Sequence, residues 1–274
     1  EVRADMAAAS APLPFPGRYL QEPRRDFFKI GAALLWGGYP QQALPYLQAA
    51  LDRAPQSQRI LLLVAQIHLE GKRTAQARKL LQEALSTDPA SAEAWNELGG
   101  VEMAEGNPKA AIECYRKALD SKPDLTYTLL NAAHAYGQTG DQATAEKFYR
   151  RALELDPSLA DAANGLGLAL AEQHRPEEAK KAFQRAIEIR PDFGSAINNL
   201  GVLYGSRGDV NDAIAAFQWG IRVAPDEEDL YLNLGRAYVT MGDRENARRV
   251  MEQWLARKPG NPTALRALRE LDAK

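Results

Sequence analysis

A proline returns every 34 residues through most of this chain, at Pro55, Pro89, Pro123, Pro157, Pro191, Pro225 and Pro259. An alanine keeps the same phase at Ala43, Ala77, Ala111, Ala145, Ala179, Ala213 and Ala247. Four residues after each alanine stands a large apolar side chain, in turn Leu47, Leu81, Tyr115, Tyr149, Phe183, Phe217 and Met251. Another small place holds Gly31, Ala65, Gly99, Ala133, Gly167, Gly201 and Gly235. Seven frames result: 24–57, 58–91, 92–125, 126–159, 160–193, 194–227 and 228–261. A unit of that length buries too little surface to fold alone, so the frames must stack on one another.

Frame 92–125 shows what each unit is. Trp95, Leu98 and Gly99 recur at three- and four-residue spacing, which puts them on one face of a helix. Gly106-Asn107-Pro108 ends that helix, and Pro108 can open the next, where a missing N–H costs nothing. Ala111, Tyr115, Ala118 and Leu119 line the second helix until Pro123 stops it. The small residues let antiparallel helices approach closely, and the large ones fill the space beside them.

The motif resembles the tetratricopeptide repeat family, through Trp95, Leu98, Gly99, Ala111, Tyr115, Ala118 and Pro123, and again through Tyr231, Leu234, Gly235, Tyr238, Ala247 and Pro259. The resemblance implies an all-α fold, a right-handed superhelical α-solenoid of antiparallel helix pairs over residues 24–261. Residues 262–274 are then a capping helix. Leu265 and Leu268 are spaced to lie on Trp254, and Arg269 stands where earlier frames have glycine or alanine, which blocks a further repeat. Residues 1–23 hold Pro12, Pro14, Pro16 and Pro23 and read as an extended Pro/Ala-rich tether. Phe15, Tyr19 and Leu20 in it are candidates to dock on the first repeat or in a groove. Because the chain opens on Glu1, an upstream piece is expected to have been removed.

Some frames depart from the pattern. Pro45 falls inside a second helix and is expected to distort it. Frame 58–91 is the weakest match: Gly71 comes one residue early in its turn, and His68 occupies a place that is aromatic in better frames, as a core-edge histidine. Gly220 and Trp254 replace the small alanine seen at Ala118, Ala152 and Ala186.

Composition narrows the function. Lys+Arg number 34 against 36 Asp+Glu, a net charge of −2, so no basic field points to nucleic acid. No apolar run approaches the roughly 18 residues of a membrane helix. The single cysteine, Cys114, sits beside Tyr115 and reads as a small core filler. His68, His134 and His174 are too far apart for a local metal motif, and CxxC, HExxH, Walker and GxSxG motifs are lacking. Gly165-Leu166-Gly167 follows no strand, and the repeat register already accounts for Gly167. No catalytic site, metal or cofactor is expected.

What remains is the surface that stacking creates. The resemblance implies that the first helix of each frame lines a concave groove that holds peptides. Residues expected there are Asn96, Glu97 and Gly100; Leu130, Asn131 and His134; Asn164 and Leu168; Asn198, Asn199 and Val202; and Leu232, Asn233 and Arg236. A primary amide offers both donors and an acceptor, so a ladder of asparagines can hold an extended backbone whatever its side chains. The spacing is similar to the superhelix of O-linked N-acetylglucosamine transferases, with Asn131, Asn199 and Asn233 in register and Asn96, Asn164 and Asn198 displaced by one residue. The lysine–asparagine clamp of chaperone-binding members is absent, its places holding residues such as Asn96 with Gly100 and Leu130 with His134.

Charge is graded along the same face. Arg25 and Arg59 come first, and Glu93, Glu97, Asp161, Glu172 and Asp229 follow. Glu102 is an acid where other frames carry Leu34, His68, Tyr136, Leu170, Tyr204 or Tyr238. The first helix of frame 92–125, with Glu93, Asn96, Glu97 and Glu102, is therefore the leading place for partner contact. The expected function is a non-catalytic scaffold that binds a protein or peptide segment carrying some basic residues. The alternative is a substrate-recruiting arm of a larger enzyme or membrane-bound assembly. Self-association through the groove, the tether or the array ends is a further expectation. Usage rich in arginine, alanine and leucine points to a bacterial source, and the tether to the cell envelope.

Overall fold

The computed structural model describes residues 26–272; the tether at 1–23, with Phe15, Tyr19 and Leu20, and Arg25 lie outside the described residues. Fifteen α-helices and no strand occur among the described residues. The first frame gives α1 (Phe27–Trp36) and α2 (Pro40–Arg53), the second α3 (Gln58–Glu70) and α4 (Thr74–Thr87), the third α5 (Ala92–Ala104) and α6 (Pro108–Ser121). Then come α7 (Thr126–Gln138) and α8 (Gln142–Leu155), α9 (Ala160–Glu172) and α10 (Pro176–Ile189), α11 (Gly194–Ser206) and α12 (Val210–Val223). The last frame gives α13 (Glu228–Thr240) and α14 (Arg244–Arg257), with α15 (Pro262–Asp272) after it. Pro40, Pro108 and Pro176 each open a second helix, where the ring costs no hydrogen bond.

The helices form two compact units, Glu1–Thr139 and Gly140–Lys274, and the division falls inside the fourth frame. In the first unit α1, α3 and α5 pair with α2, α4 and α6, and α3, α5 and α7 lie side by side. In the second unit α9, α11 and α13 pair with α10, α12 and α14, and α15 packs on α14. Each unit thus has a layer of first helices and a layer of second helices.

The pairing rests on a ring set against bare backbone. A Cβ built on Gly167 would lie 2.5 Å from Phe183 Cε1, well inside van der Waals contact, and Gly99 and Gly201 meet Tyr115 and Phe217 in the same way. Tyr115, Phe183 and Phe217 are buried, which stabilises each pair by about 2–3 kcal/mol per ring. Gly165 has the same role, unforeseen from the register: the Tyr149 ring of the preceding second helix lies on it. Gly220 also makes room, since a Cβ there would fall 2.5 Å from Leu230 Cδ2.

The aromatic near the start of a first helix ties back to the proline that closed the previous frame. Trp95 Nε1 donates to the carbonyl of Pro89 at 2.9 Å, and the Tyr231 hydroxyl to that of Pro225 at 3.0 Å. Trp254 is buried with its ring 4.7 Å from that of Tyr231. Ala264, Ala267 and Leu268 of α15 pack into the same cluster, whereas Leu265 points to solvent, contrary to its expected place on Trp254. Helical phase decides this, because α15 turns its Ala264–Leu268 edge inward. Arg269 is exposed.

One other expectation is corrected. Pro45 lies within an unbroken α2; in the second turn its ring forfeits a single backbone bond. Gly71 does come one residue early in its turn. It caps α3 at φ −78°, and Lys72 takes the left-handed place at φ +56°. That place belongs to Gly38, Gly106, Gly140, Gly208 and Gly242 in other frames, and to His174 at φ +57° in the fifth. A side chain with a Cβ is strained there. Lys72→Gly and His174→Gly are each expected to stabilise the protein by about 0.5–1 kcal/mol. Thermal unfolding of the single variants, each with a raised midpoint, checks this.

Candidate functional site

The residues singled out from the sequence all lie on first helices of the two units. In the first unit α5 is capped by Ser91, whose hydroxyl accepts from the Ala94 N–H at 3.2 Å. Glu93, in its first turn, pairs with Lys122 at 2.6 Å, and Asp161 of the second unit pairs with Arg190 at 2.5 Å at the same places of its own frame. The Lys122 hydrogen bond holds the Glu93 carboxyl below its ordinary range. Both pairs are solvated and contribute little to stability, but their acids are not free.

Glu102 is explained by architecture after all. Its Oε1 lies 2.5 Å from Arg78 Nη1 of α4, Asn107 Nδ2 donates to its Oε2 at 3.3 Å, and Arg78 also meets Glu105 at 2.6 Å. The offset of 24 residues recurs at Lys180, whose ammonium sits 5.0 Å over the Tyr204 ring. That slot is where a first helix meets the second helix before it, and Glu102 fills it with charge. The offset could have been found in the sequence by asking what stands opposite the slot.

The asparagines are joined to each other. Asn131 Nδ2 donates to Asn96 Oδ1 at 3.1 Å, Asn199 Nδ2 to Asn164 Oδ1 at 2.9 Å, and Asn233 Nδ2 to Asn198 Oδ1 at 2.8 Å. Each bond spans 35 residues, so the displaced asparagine of one frame is the acceptor for the in-register asparagine of the next. Asn96 is 4% exposed and also accepts from the buried Thr128 hydroxyl at 3.0 Å. It is an interior residue. Asn131, Asn164, Asn198, Asn199 and Asn233 stay half-buried, and each clasp leaves the donor's oxygen and the acceptor's amino group over. Arg236 Nη1 uses one such oxygen, that of Asn233, at 3.2 Å. His134 is exposed beside Gln138. Leu168 and Val202, one turn on from Asn164 and Asn198, are 45% and 47% exposed.

Glu97 occupies the in-register place held elsewhere by Asn131, Asn199 and Asn233. It accepts from Asn96 Nδ2 at 3.1 Å and makes no ion pair among the described residues. Burial pushes its carboxyl above the ordinary range, the Asn96 bond opposes this, and the charge of Glu70 on α3 adds to it. The exposed Tyr127 of α7 is close enough for Glu93 and Glu97 to raise its hydroxyl further after burial. Neither Glu70 nor Tyr127 was singled out from the sequence, because nothing in the period shows which neighbours share a charge.

Elsewhere, His68 Nδ1 accepts from Arg73 Nε at 2.8 Å, and burial and then the Arg73 charge lower its pKa, as suits a core-edge histidine. Burial pushes the Cys114 thiol up to about 11, which makes it a packing residue and not a nucleophile. Among the described residues no cluster of His, Cys, Asp and Glu is placed to hold a metal ion, and no helix is long and apolar enough to cross a membrane.

Stacked antiparallel helix pairs, each with a large side chain set against a small residue at the repeat period, define a repeat protein of the tetratricopeptide type, whose members are in general protein-interaction scaffolds. A family model described as the cilia and flagella-associated protein 70 C-terminal domain matches residues 5–252, and the chain belongs to that family. Human tetratricopeptide repeat protein 7B is 31% identical over 96 residues, which is 34% of this chain and 11% of that protein, so the match spans about a tenth of the relative's length. The fold is shared with a subunit chain in the crystal structure of the APC/C hetero-tetramer Cut9-Hcn1, at a TM-score of 0.71 and 19% identity over 88% of this chain and 48% of that one. A tetratricopeptide repeat protein from Parabacteroides merdae gives a TM-score of 0.70 at 17% identity, covering 91% of this chain and 98% of its own.

The clasps predict an order of costs. Asn96→Leu strands a buried hydroxyl and an amide, and is expected to cost about 2 kcal/mol. Asn164→Leu strands one half-exposed amide that water can reach, and should cost below about 1 kcal/mol. Denaturant unfolding of the two variants, with Asn96→Leu the more destabilised, checks the assignment.

Proposed function

We propose that this chain is a non-catalytic scaffold whose first-helix faces hold an extended segment of a partner protein, and that in the first unit this segment presents a lysine or arginine to Glu97. The observation that carries the reading is Glu97 itself: a half-buried carboxylate on a binding face, flanked by Glu93 and Glu102, which both have cations of their own. A buried charge without a counter-ion is costly unless something supplies one. A cationic side chain from outside would meet Glu97 and Glu70, with the Tyr127 ring beside them to take its flank.

In the second unit the exposed Leu168 and Val202 offer apolar contact for partner side chains. The amide groups that the clasps leave over can bond the partner's backbone. The asparagine ladder, in this reading, has a double use: half of each amide pair holds neighbouring repeats together and the other half faces the segment.

Glu97→Gln tests the assignment, since glutamine keeps the acceptor for Asn96. Folding raises the carboxyl above its ordinary value of 4.5, so the folded state holds the proton more tightly than the unfolded chain. The charged form therefore costs stability at neutral pH, and the cost fades as pH falls below that ordinary value. Glu97→Gln is expected to raise stability by on the order of 1 kcal/mol at pH 7 and to lose that advantage in acid. It should also weaken binding of a labelled peptide with a Leu-Phe pair between lysines by about tenfold, read by fluorescence anisotropy. A variant that is no more stable than the parent and binds this peptide equally well would refute the reading.

A further inference from the structure

The cap does not close the end of the second unit. Helices α13, α14 and α15 enclose a cleft of about 610 Å³ with Leu232, Met251, Ala267 and Leu271 on its walls and Arg236, Arg244 and Arg266 at its rim. Two departures from the repeat leave it open. In the other glycine-bearing frames of this unit a phenylalanine ring lies on the glycine, but Gly235 meets the slender Met251, whose Cε would stand 2.9 Å from an added Cβ. The places of the asparagine clasp are taken here by Leu232 and Ala267, so no amide pair bridges α13 to α15. Apolar walls are thereby left uncovered in a layer whose other gaps are bridged.

The rim has a definite sign. Arg236 is held by Asn233. Arg244 and Arg266 make no ion pair or side-chain hydrogen bond among the described residues, although Arg248 and Arg249 nearby pair with Glu252, Asp272 and Glu245. Glu270 is the acid among the lining residues, against three arginines. The stretch of α13 that lines the cleft, Leu232 to Thr240, runs about 12 Å at 1.5 Å per residue, the length of about four residues of extended chain.

We infer that this cleft is a docking site for a short acidic segment of a partner protein, one that seats a large apolar side chain between α13 and α15 and sets its carboxylates against Arg236, Arg244 and Arg266. Shape argues for a segment, because the walls are two parallel stretches of helix; charge argues for its acidity. Arginine suits the role, since its planar fork takes a carboxylate through two hydrogen bonds. The site differs from Glu97 in its unit, its residues and the sign of what it takes, so the two readings stand or fall separately.

The test uses the full chain and three short labelled synthetic peptides: a Leu-Phe pair between glutamates, the same pair between lysines, and a Ser-Ser pair between glutamates. The first is expected to bind at least about tenfold more tightly than the third, with an affinity that falls as salt rises. The double substitution Arg244→Glu with Arg266→Glu is expected to weaken the first peptide by about tenfold and leave the lysine peptide unaffected, since solvated rim charges contribute modestly one by one. Val239→Asp, an exposed change on the same wall, should weaken it too, whereas Glu97→Gln should not. Both sites are exposed, so melting curves close to the parent's would show that the variants fold. The inference is overturned if the acidic Leu-Phe and Ser-Ser peptides bind alike, if the arginine reversal leaves the acidic peptide's affinity unchanged, or if laurate binds the cleft and no peptide does.

Discussion

Where a first helix carries the repeat's glycine, its pair depends on one contact, a large side chain of the second helix laid on that glycine. At Gly99, Gly167 and Gly201 the contact is so close that no Cβ could be added without moving an aromatic ring. Close approach is what lets two short helices bury enough apolar area to offset their ordering entropy. It also fixes which edge of the first helix must face inward. Leu168 and Val202 stand exposed away from that contact, and the asparagines lie between neighbouring first helices, Asn96 buried and the others half-buried.

Because the contact is local to a repeat, the period carried most of the fold. Helix bounds, closing prolines and the ring-on-glycine pairs were all legible from phase alone. Phase was less informative where two rules competed. Gly71 falls one residue early by phase, and Lys72 accordingly takes the left-handed place. Gly165 looked free because the register asked for one glycine, whereas Tyr149 of the preceding helix needed a second. Leu265 had suitable spacing but the wrong helical phase, which no pattern of two leucines can fix.

The site was harder to read, for a physical reason. Periodicity places a residue but does not say whether its hydrogen bonds are already used. The asparagines were expected to face a partner segment, yet their bonds are to one another, 35 residues apart, through an offset one longer than the repeat. That extra residue comes from the stagger between neighbouring first helices and is invisible to a search at the period itself. Glu93 and Glu102 were expected to contact a partner, and their own cations, Lys122 and Arg78, were missed because the relevant offsets of 29 and 24 residues cross between helices. Once those bonds are counted, the acids of the first unit's face reduce to Glu97, with Glu70 behind it.

Glu97 and the α13–α15 cleft share an origin. In both, a slot that closes the layer of first helices in other frames has lost its usual occupant. At Glu97 a carboxylate stands in the donor's place and Leu62 in the acceptor's, so no clasp to the helix before it forms and a charge is left facing outward. At the cleft both clasp partners are gone, the ring on the glycine is a thioether, and the opening is rimmed by arginine. A packed array can tolerate such losses because each repeat leans only on its neighbours, and the cost of one open seam does not spread. The regular frames therefore hold the layer together, and the irregular slots are the ones left with unspent bonding capacity. One carries a negative charge and the other is rimmed by positive charge, in a chain of near-neutral total charge.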